Sequence, residues 1–473
     1  MPLAAAYLAD PRFERLGPEF ADPVRAADFP AQTTRFRNQR AAATVGLADL
    51  TPDEWLEHFA RFQPLADNQT RPLAMRYHGH QFRVYNPDLG DGRGFLFAQL
   101  RELGSGRLLD LGTKGSGQTP FSRAGDGRLT LKGGVREVLA TAMLEALGVP
   151  TSRSFSLIET GEALWRSDEP SPTRSAVLTR LSHSHIRFGS FQRHAALDRP
   201  DLIATLLEHV VETYYPHLAN AENRAAALLG AVVERSARLA ASWMTAGFVH
   251  GVLNTDNMNI TGESFDYGPY RFLPRNDPNF VAAYFDETGL YSFGRQPEAV
   301  FWNLRQLAGA LTLASDPAPL AEALNTFSTA YREALRGAML ERLGMKPRSE
   351  EEDITIVNAA FRALADGGDV LRWEPFFFDW FGGKASEARA MAGPRASLYA
   401  SDVFVSFRTL LAGYETERPE RLANSYFARA QPEELLYDEI EALWAAIVER
   451  DDWDPFEAKL TAIEAARIGW GLA

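Results

Sequence analysis

Between His250 and Pro269 the chain reads HGVLNTDNMNITGESFDYGP, and His250, Asn254, Asp256, Asn257 and Asp266 fall within seventeen residues of it. Amides and carboxylates crowded in this way are expensive to bury without partners. A loop that gathers them usually holds a cation or a polar ligand. Carboxylate and amide oxygens are hard donors, suited to Mg²⁺ or Mn²⁺. The same residue types also make ordinary turns, so the reading depends on what the rest of the chain sets beside them.

The spacing narrows the chemistry. In protein kinases a catalytic loop runs from a His to a metal-binding Asn seven positions later, and an Asp-Phe-Gly supplies a second metal ligand. Here Asn257 lies seven residues after His250, and Asp266-Tyr267-Gly268 begins nine residues further on. The slot two after the His, where a kinase keeps its catalytic Asp, holds Val252, and an Asp stands instead directly before the Asn, at Asp256. The pattern predicts a kinase-like metal site whose base has moved.

Such a loop needs elements to hold it and to present phosphate contacts opposite. In residues 1–75 one helix is well marked: Thr51 caps it, Pro52 fits its first position, Glu54 completes the capping box, and Trp55, Phe59 and Phe62 line one face. From Tyr77 to Leu181 short strands and tight turns take over. FLFAQLREL and RLLDLGTKG flank Gly104-Ser105-Gly106 as a hairpin, Leu131–Leu147 has helical periodicity closed by Gly148, and SRSFSLIET and RSAVLTRLS bracket a second strand pair. After His209 the chain turns helical. A long amphipathic helix, NRAAALLGAVVERSARLAASWMTAG, delivers it into the polar loop, and helices are expected at Pro297–Leu313, Pro317–Leu335, Ile354–Ala365 and Glu433–Val448. The order predicts an α+β, protein-kinase-like two-lobed fold: a β-rich N-lobe, a mostly helical C-lobe, and helical additions at both ends. Boundaries fall at 1–76 for an N-terminal extension, 77–181 for the N-lobe and 182–473 for the C-lobe with its loop at 250–269.

Composition bounds the partners. With 473 residues, 45% hydrophobic and 23% charged, the chain is ordinary for a globular protein. A net charge of −13 disfavours nucleic acid or an anionic membrane as partner, though not a nucleotide held by local cations. There is no cysteine, which removes thiolate chemistry and suits a reducing cytosol, so a cytoplasmic location is expected. The first twenty residues lack a secretory pattern, and no apolar run is long enough to suggest a membrane span.

The β-rich section carries phosphate-binding residues. Lys114 ends a strand-like run, as the ATP-contacting kinase lysine does, and Glu137 lies on the following helix, where the lysine's partner carboxylate belongs. GDGR occurs twice, at Gly90–Arg93 and Gly125–Arg128; its glycines let backbone N–H groups approach phosphate and its Arg can clamp one, although Asp-Gly is also a common hairpin turn. Arg180 and Arg187, seven apart, suit a polyphosphate. His78, His80, His183 and His185 are read as hydrogen-bonding histidines rather than metal ligands.

In order along the chain, NPDLGDGR, TKGSGQTPFSRAGDGR, GGVREVLATAMLEALGVPT, AVLTRLSHSHIRFGSF, GFVHGVLNTDNMNITGESFDYGP and YSFGRQPEAVFWNL resemble the selenoprotein O (YdiU-type) pseudokinase family. The likeness covers about Tyr77 to Leu307 and is not recognisable beyond about residue 310. It implies a kinase-like fold holding ATP reversed, with the α-phosphate facing the acceptor. It also implies transfer of AMP from ATP to Ser, Thr or Tyr hydroxyls of proteins with Mg²⁺ or Mn²⁺; UMP transfer from UTP is also attributed to the family. Position by position, Gly90, Gly92, Arg93, Lys114, Asp126, Gly127, Arg180 and Arg187 match its nucleotide contacts and Glu137 the lysine's partner. Asp256 matches the proton acceptor, and Asn257 and Asp266 the metal ligands.

Two departures stand out. Arg83 replaces a usual Gly, and the family's C-terminal cysteine or selenocysteine pair is absent, so thiol-based regulation cannot operate. Two rival readings remain at the level of sequence. A small-molecule phosphotransferase of the aminoglycoside-kinase kind needs Asp at the position of Val252. A nucleotide-binding scaffold without catalysis has no use for a full set of Lys114, Glu137, Asp256, Asn257 and Asp266.

Overall fold

A computed structural model describes residues 6–167 and 169–472. It has one large sheet and many helices, the α+β composition that the residue patterns predict. The sheet contains eight strands: β1 (Ala21–Pro23), β2 (Thr33–Arg37), β3 (Leu73–Met75), β4 (Leu96–Arg101), β5 (Leu108–Lys114), β6 (Leu129–Thr130), β7 (Arg153–Leu164) and β8 (Thr173–Ser182). Their order is β1-β3-β4-β5-β8-β7-β2, with β6 beside β8, and every pairing is antiparallel. The two expected hairpins are β4–β5 and β7–β8. Residues 1–76 give the sheet both of its edge strands, β1 and β2.

Alternation, interrupted by register shifts in the β7–β8 pair, sorts the strand residues between two cores. Phe97, Leu109, Leu111, Phe155, Ile158 and Val177 face one side, where helix α1 (Pro52–Phe59) covers them with Trp55 and Phe59. Trp55 stacks on Phe155 at 5.1 Å and donates its indole N–H to Ser156 Oγ at 2.9 Å. The capping box of α1 is present as read, with Thr51 Oγ1 accepting from Glu54 N at 3.3 Å. Phe62 lies past the helix end, in a left-handed turn with φ 52, yet still reaches this core. Leu108, Leu157 and Leu178 face the other side against helix α2 (Leu131–Ala146), whose Val135, Val138 and Leu139 are fully buried.

Helix α3 (Phe188–Ala196) follows the sheet, and helix α4 (Arg224–Thr245) runs twenty-two residues into the polar loop. Helix α5 (Gln296–Leu311) packs against both α3 and α4. Near the C-terminus α6 (Tyr437–Arg450) and α7 (Asp454–Trp470) return to pack on α2. The single helix expected over Pro317–Leu335 is two, Pro317–Asn325 and Phe327–Arg342, parted at Thr326, whose hydroxyl bonds back to Ala323 O at 2.7 Å. Among the described residues no helix is long and apolar enough to cross a membrane.

Candidate active site

The loop that follows α4 is pinned from several directions. Its base is closed by the two-residue strands Phe248–Val249 and Arg271–Phe272, which pair with each other. Gln296 of α5 accepts from His250 N at 2.9 Å, and the His250 ring meets Phe265 O through Nε2 at 3.0 Å. Asn303 donates to Leu253 O at 2.8 Å. Asn254 Oδ1 accepts from Phe82 N at 3.0 Å and from the Tyr291 hydroxyl at 2.8 Å, while Thr255 Oγ1 accepts from His80 N at 2.7 Å. His250 is therefore a buried brace, and the short turn Thr255–Asn257 projects from a fixed frame.

Two ends of the fold meet above that turn. Lys114 closes β5, and its ammonium pairs with Glu137 of α2 while lying 2.6 Å from Asp266 Oδ1. Glu137 is fully buried, so the pair is shielded from water. Thr130 caps α2, accepting from Gly133 N at 3.1 Å, which fixes where Glu137 emerges. Asp266 also meets Arg180 at 3.3 Å and accepts from Asn257 Nδ2 at 3.3 Å. Its backbone holds φ 67, a conformation that Asp tolerates better than most residues but that still needs support from its surroundings.

The charges are strongly coupled. Burial pushes the Asp266 carboxyl up, but Lys114, Arg180 and Arg187 outweigh it and hold the group well below the usual carboxylate range. Asp256 goes the other way. Burial dominates, Arg187 opposes it only partly, and the carboxyl is pushed up to about 6. Asp256 Oδ1 is buried without a hydrogen-bond partner, as are Glu137 Oε2, Arg180 Nε and Arg187 Nε. Arg187 donates to Asp256 O at 2.6 Å, pairs with Asp91 at 3.3 Å, and lies 4.6 Å over the Tyr77 ring and 4.9 Å over Phe265.

One cleft of about 700 Å³ lies between these groups. Gly90, Gly92, Arg93, Lys114, Asp126, Gly127, Arg180, Arg187, Asp256 and Asp266 all line it. Glu137 and Asn257 stand just behind the wall, each reaching it through a neighbour. Asp126 is at the rim, bonded to Arg166 at 2.8 Å. The glycines have a packing role beyond phosphate approach: a Cβ on Gly90 would come within 2.3 Å of the Phe121 ring, and one on Gly127, at φ 69, within 2.2 Å of Gly117 C. Small residues there let the first GDGR loop sit against Phe121 and the second close onto Gly117.

Sequence reasoning passed over Asp91, Tyr77, Phe121 and Arg123, which also line the cleft. Asp91 was readable in principle, since it is the acid of the first GDGR. Of the four histidines read as hydrogen-bonding, His78 Nδ1 meets the Tyr85 hydroxyl at 2.7 Å, and His80 Nδ1 accepts from Gln192 at 2.8 Å. His185 Nδ1 meets Ser182 Oγ at 3.2 Å, and His183 packs edge-on against Tyr214 at 5.3 Å. Arg83 occupies the left-handed region at φ 65, where glycine is unstrained, and its guanidinium pairs with Glu298 at 2.9 Å.

Whether these residues suit a divalent cation is a matter of donors. Among the described residues no group of three or more His, Asp or Glu side chains could hold a metal alone. Asn257 and Asp266, in contact with each other, offer an amide oxygen and a carboxylate, the small number of protein ligands Mg²⁺ uses when substrate phosphates complete its shell. The residues fit.

Comparison with known proteins places this geometry in context. Residues 4–464 match the model of a family described as protein adenylyltransferase SelO. A protein nucleotidyltransferase YdiU of Synechocystis is 45% identical, over 94% of this chain and 96% of its own. Proteins of the same name in Gloeobacter violaceus and Pseudomonas putida are 47% identical over 94% and 40% identical over 76% of this chain, covering 93% and 73% of theirs. The match runs from residue 4 to residue 464, so the likeness is not confined to Tyr77–Leu307 as the motifs alone suggest, and the segment after residue 310 belongs to it as well.

Proposed function

This chain belongs to the SelO family of protein adenylyltransferases and is an enzyme of that nucleotidyltransferase class; from that premise we propose that it moves AMP from ATP, and UMP from UTP, onto Ser, Thr or Tyr hydroxyls of proteins. The observation that carries the reading is a cleft in which the Lys114–Glu137–Asp266 cluster stands with Asp256, whose Oδ1 is buried without a hydrogen-bond partner.

In this mechanism Asp256 takes the proton from the attacking hydroxyl. The hydroxyl oxygen bonds to the α-phosphorus as the bond to the bridging oxygen breaks, and pyrophosphate leaves. A carboxyl lifted to about 6 is better matched to that proton than an ordinary Asp and is still mostly ionised at neutral pH. Lys114, held extended by Glu137, together with Arg180 and Arg187, grips the phosphates that depart. Asn257 and Asp266 would hold Mg²⁺ or Mn²⁺, which supplies charge neutralisation at the phosphoryl oxygens. Gly90, Gly92, Arg93, Asp126 and Gly127 shape the opposing wall.

We extend the proposal to architecture. The sheet with α2 corresponds to a kinase N-lobe over residues 77–181, extended at both edges by strands from 1–76, and residues 182–473 correspond to a helical C-lobe carrying the loop 250–269. The cytosol is the compartment that suits a cysteine-free, ATP-using chain.

The test is incubation with ATP labelled at the α- or γ-position in the presence of Mg²⁺ or Mn²⁺, followed by intact mass of the protein and of added acceptors. Adenylate mass with the α-label is the expected result. The γ-label on a small molecule would make the chain a phosphotransferase, and ATP binding without label would make it a scaffold.

A further inference from the structure

A second groove, of about 430 Å³, opens from the same cleft and shares Arg93, Lys114, Arg128 and Arg166 with it. Its floor is α2, through Lys132 and Arg136. The segment after Asp266 forms the far wall, through Arg271, Tyr284 and Phe285, and α6 closes the end with Tyr437 and Glu441. In a chain of net charge −13 this lining is cationic; its only described carboxylates are Glu169 and Glu441.

Several of the cations are matched within the chain. Arg128 pairs with Glu162 at 2.9 Å, Lys132 with Glu441 at 2.8 Å and Arg166 with Asp126 at 2.8 Å. Arg136 and Arg271 meet only carbonyl oxygens and rings among the described residues. Arg136 donates to Gly268 O and Tyr270 O, both at 3.2 Å. Arg271 donates to Pro269 O at 2.9 Å and Tyr270 O at 2.8 Å, and lies 3.9 Å over the Tyr437 ring. Burial first, and then the nearby Arg136, lower the hold of Arg271 on its proton. Glu441 of α6 also acts on Arg271 but is already paired with Lys132, so the two guanidinium groups set together favour an anion from outside the chain.

The rim adds apolar surface. Tyr284 is 81% exposed and Phe285 46% exposed. Aromatic side chains left in water beside a charged groove are a mark of protein contact surfaces. This wall also leads to the chemistry. The Phe285 ring stands 5.9 Å from Phe82, which stands 5.1 Å from Tyr291, whose hydroxyl bonds Asn254 two residues before Asp256.

We infer that this groove docks an acidic segment of the acceptor protein, with the cationic floor taking Asp or Glu side chains and Tyr284 and Phe285 taking an apolar neighbour, so that the acceptor hydroxyl is led toward Asp256. The inference rests on the proposed transfer to protein hydroxyls and names the acceptor class. A nucleic acid would meet the repulsion of the whole chain, whereas a short acidic segment experiences mainly the local field.

The test uses the full chain with Mg²⁺-ATP and Ser-containing peptides flanked by Glu or by Lys, read by α-label transfer and separately by fluorescence anisotropy of labelled peptide without ATP. Glu-flanked peptides should have a KM about tenfold lower, a difference that shrinks with added salt. Arg271→Gln combined with Tyr284→Ser, neither of which lines the nucleotide cleft, should erase most of the preference while leaving the KM for ATP unchanged. Equal or reversed preference, or an unaltered preference in the double variant, overturns the inference and leaves AMP transfer standing. Charge-selective peptide binding without any transfer sinks the proposed chemistry and leaves the docking groove standing; neither binding nor transfer overturns both.

Discussion

Replacing Asp256 with Asn separates two consequences of the same burial. At the cleft wall its carboxyl is lifted from 3.8 to about 6, chiefly because ionising it there forfeits hydration. A folded-state pKa above the unfolded value means that the contribution to stability is fully present below the unfolded pKa and lost as pH rises through about 6. At neutral pH the ionised group therefore costs the fold about 2–3 kcal/mol, taking 1.36 kcal/mol per unit. Its Oδ1 makes no hydrogen bond that Asn would break. Asp256→Asn should thus raise stability by an amount of that order in denaturant titration at pH 7.5 without metal or ATP. AMP transfer should meanwhile fall about 10²–10⁴-fold, or roughly 3–5 kcal/mol in the barrier, as expected for loss of a general base. In the unaltered enzyme, transfer should decline about tenfold per pH unit on an acid limb centred at or below pH 6, because a bound cation favours the ionised form. Asp266→Ala should instead impair Mg²⁺-ATP binding and transfer together, since it removes charge from the metal's shell. Near-native transfer by Asp256→Asn, measured with α-labelled ATP, would refute the base assignment. A variant clearly less stable than the parent would refute the account of its burial.

Other perturbations read other parts of the structure. Lys114→Ala leaves Glu137 buried beside no cation, so it should destabilise by about 3–5 kcal/mol as well as weaken ATP use; adding Glu137→Gln should restore most of the stability and none of the ATP use, and recovery of both would mean a structural pair only. Burial, aided by Arg107 and Arg193 respectively, holds His183 down to about 3 and His194 to about 4. The unfolded chain then binds protons first as pH falls below 6.5, and stability should drop by up to about 1.4 kcal/mol per pH unit for each; a slope in denaturation midpoint between pH 6.5 and 5 that is unchanged in His194→Gln would contradict this. Arg83→Gly relieves a left-handed backbone, about 1–2 kcal/mol, against loss of an exposed ion pair and greater freedom of the unfolded chain. Its net effect should stay within about 1 kcal/mol, and a loss above 2 kcal/mol by thermal unfolding would show that the Glu298 contact matters more.

What could be read from sequence was whatever is local. The α1 capping box needs only Thr51, Pro52 and Glu54, the β4–β5 hairpin only its turn glycines and flanking apolar runs, and α2 only its periodicity and Thr130. The loop residues from His250 to Asp266 could be picked out because they lie close together in the chain at kinase-like spacing. Non-local facts could not. β1 and β2, three and five residues long, lack a clear apolar alternation, and their place at the sheet edges is set by partners such as β3 and β7. Asp91 looked like turn chemistry until the fold brought Arg187, ninety-six residues away, to within 3.3 Å. The exposure of Tyr284 and Phe285 has no sequence signature, since aromatic residues are as often buried as exposed.

The helices after residue 310 bear on the site through α2. Lys132 near its start pairs with Glu441 of α6 at 2.8 Å, and Glu145 near its end is held by Arg40 and, at 3.4 Å, by Arg153. α7 packs along it, and Leu472 crowds Gly148 just beyond its end. The turn between α6 and α7 is tied to the sheet as well, since Asp451 meets Arg174 at 2.8 Å and Arg35 at 3.2 Å, and both arginines share Glu159. Glu137 is therefore positioned from the sheet on one side and from the chain's last helices on the other. A chain without cysteine cannot reset that position through a disulfide. Here the placement of the lysine's partner, and with it the charge balance around Asp266, is set by packing and ion pairs whose strength varies with salt and temperature rather than with redox state.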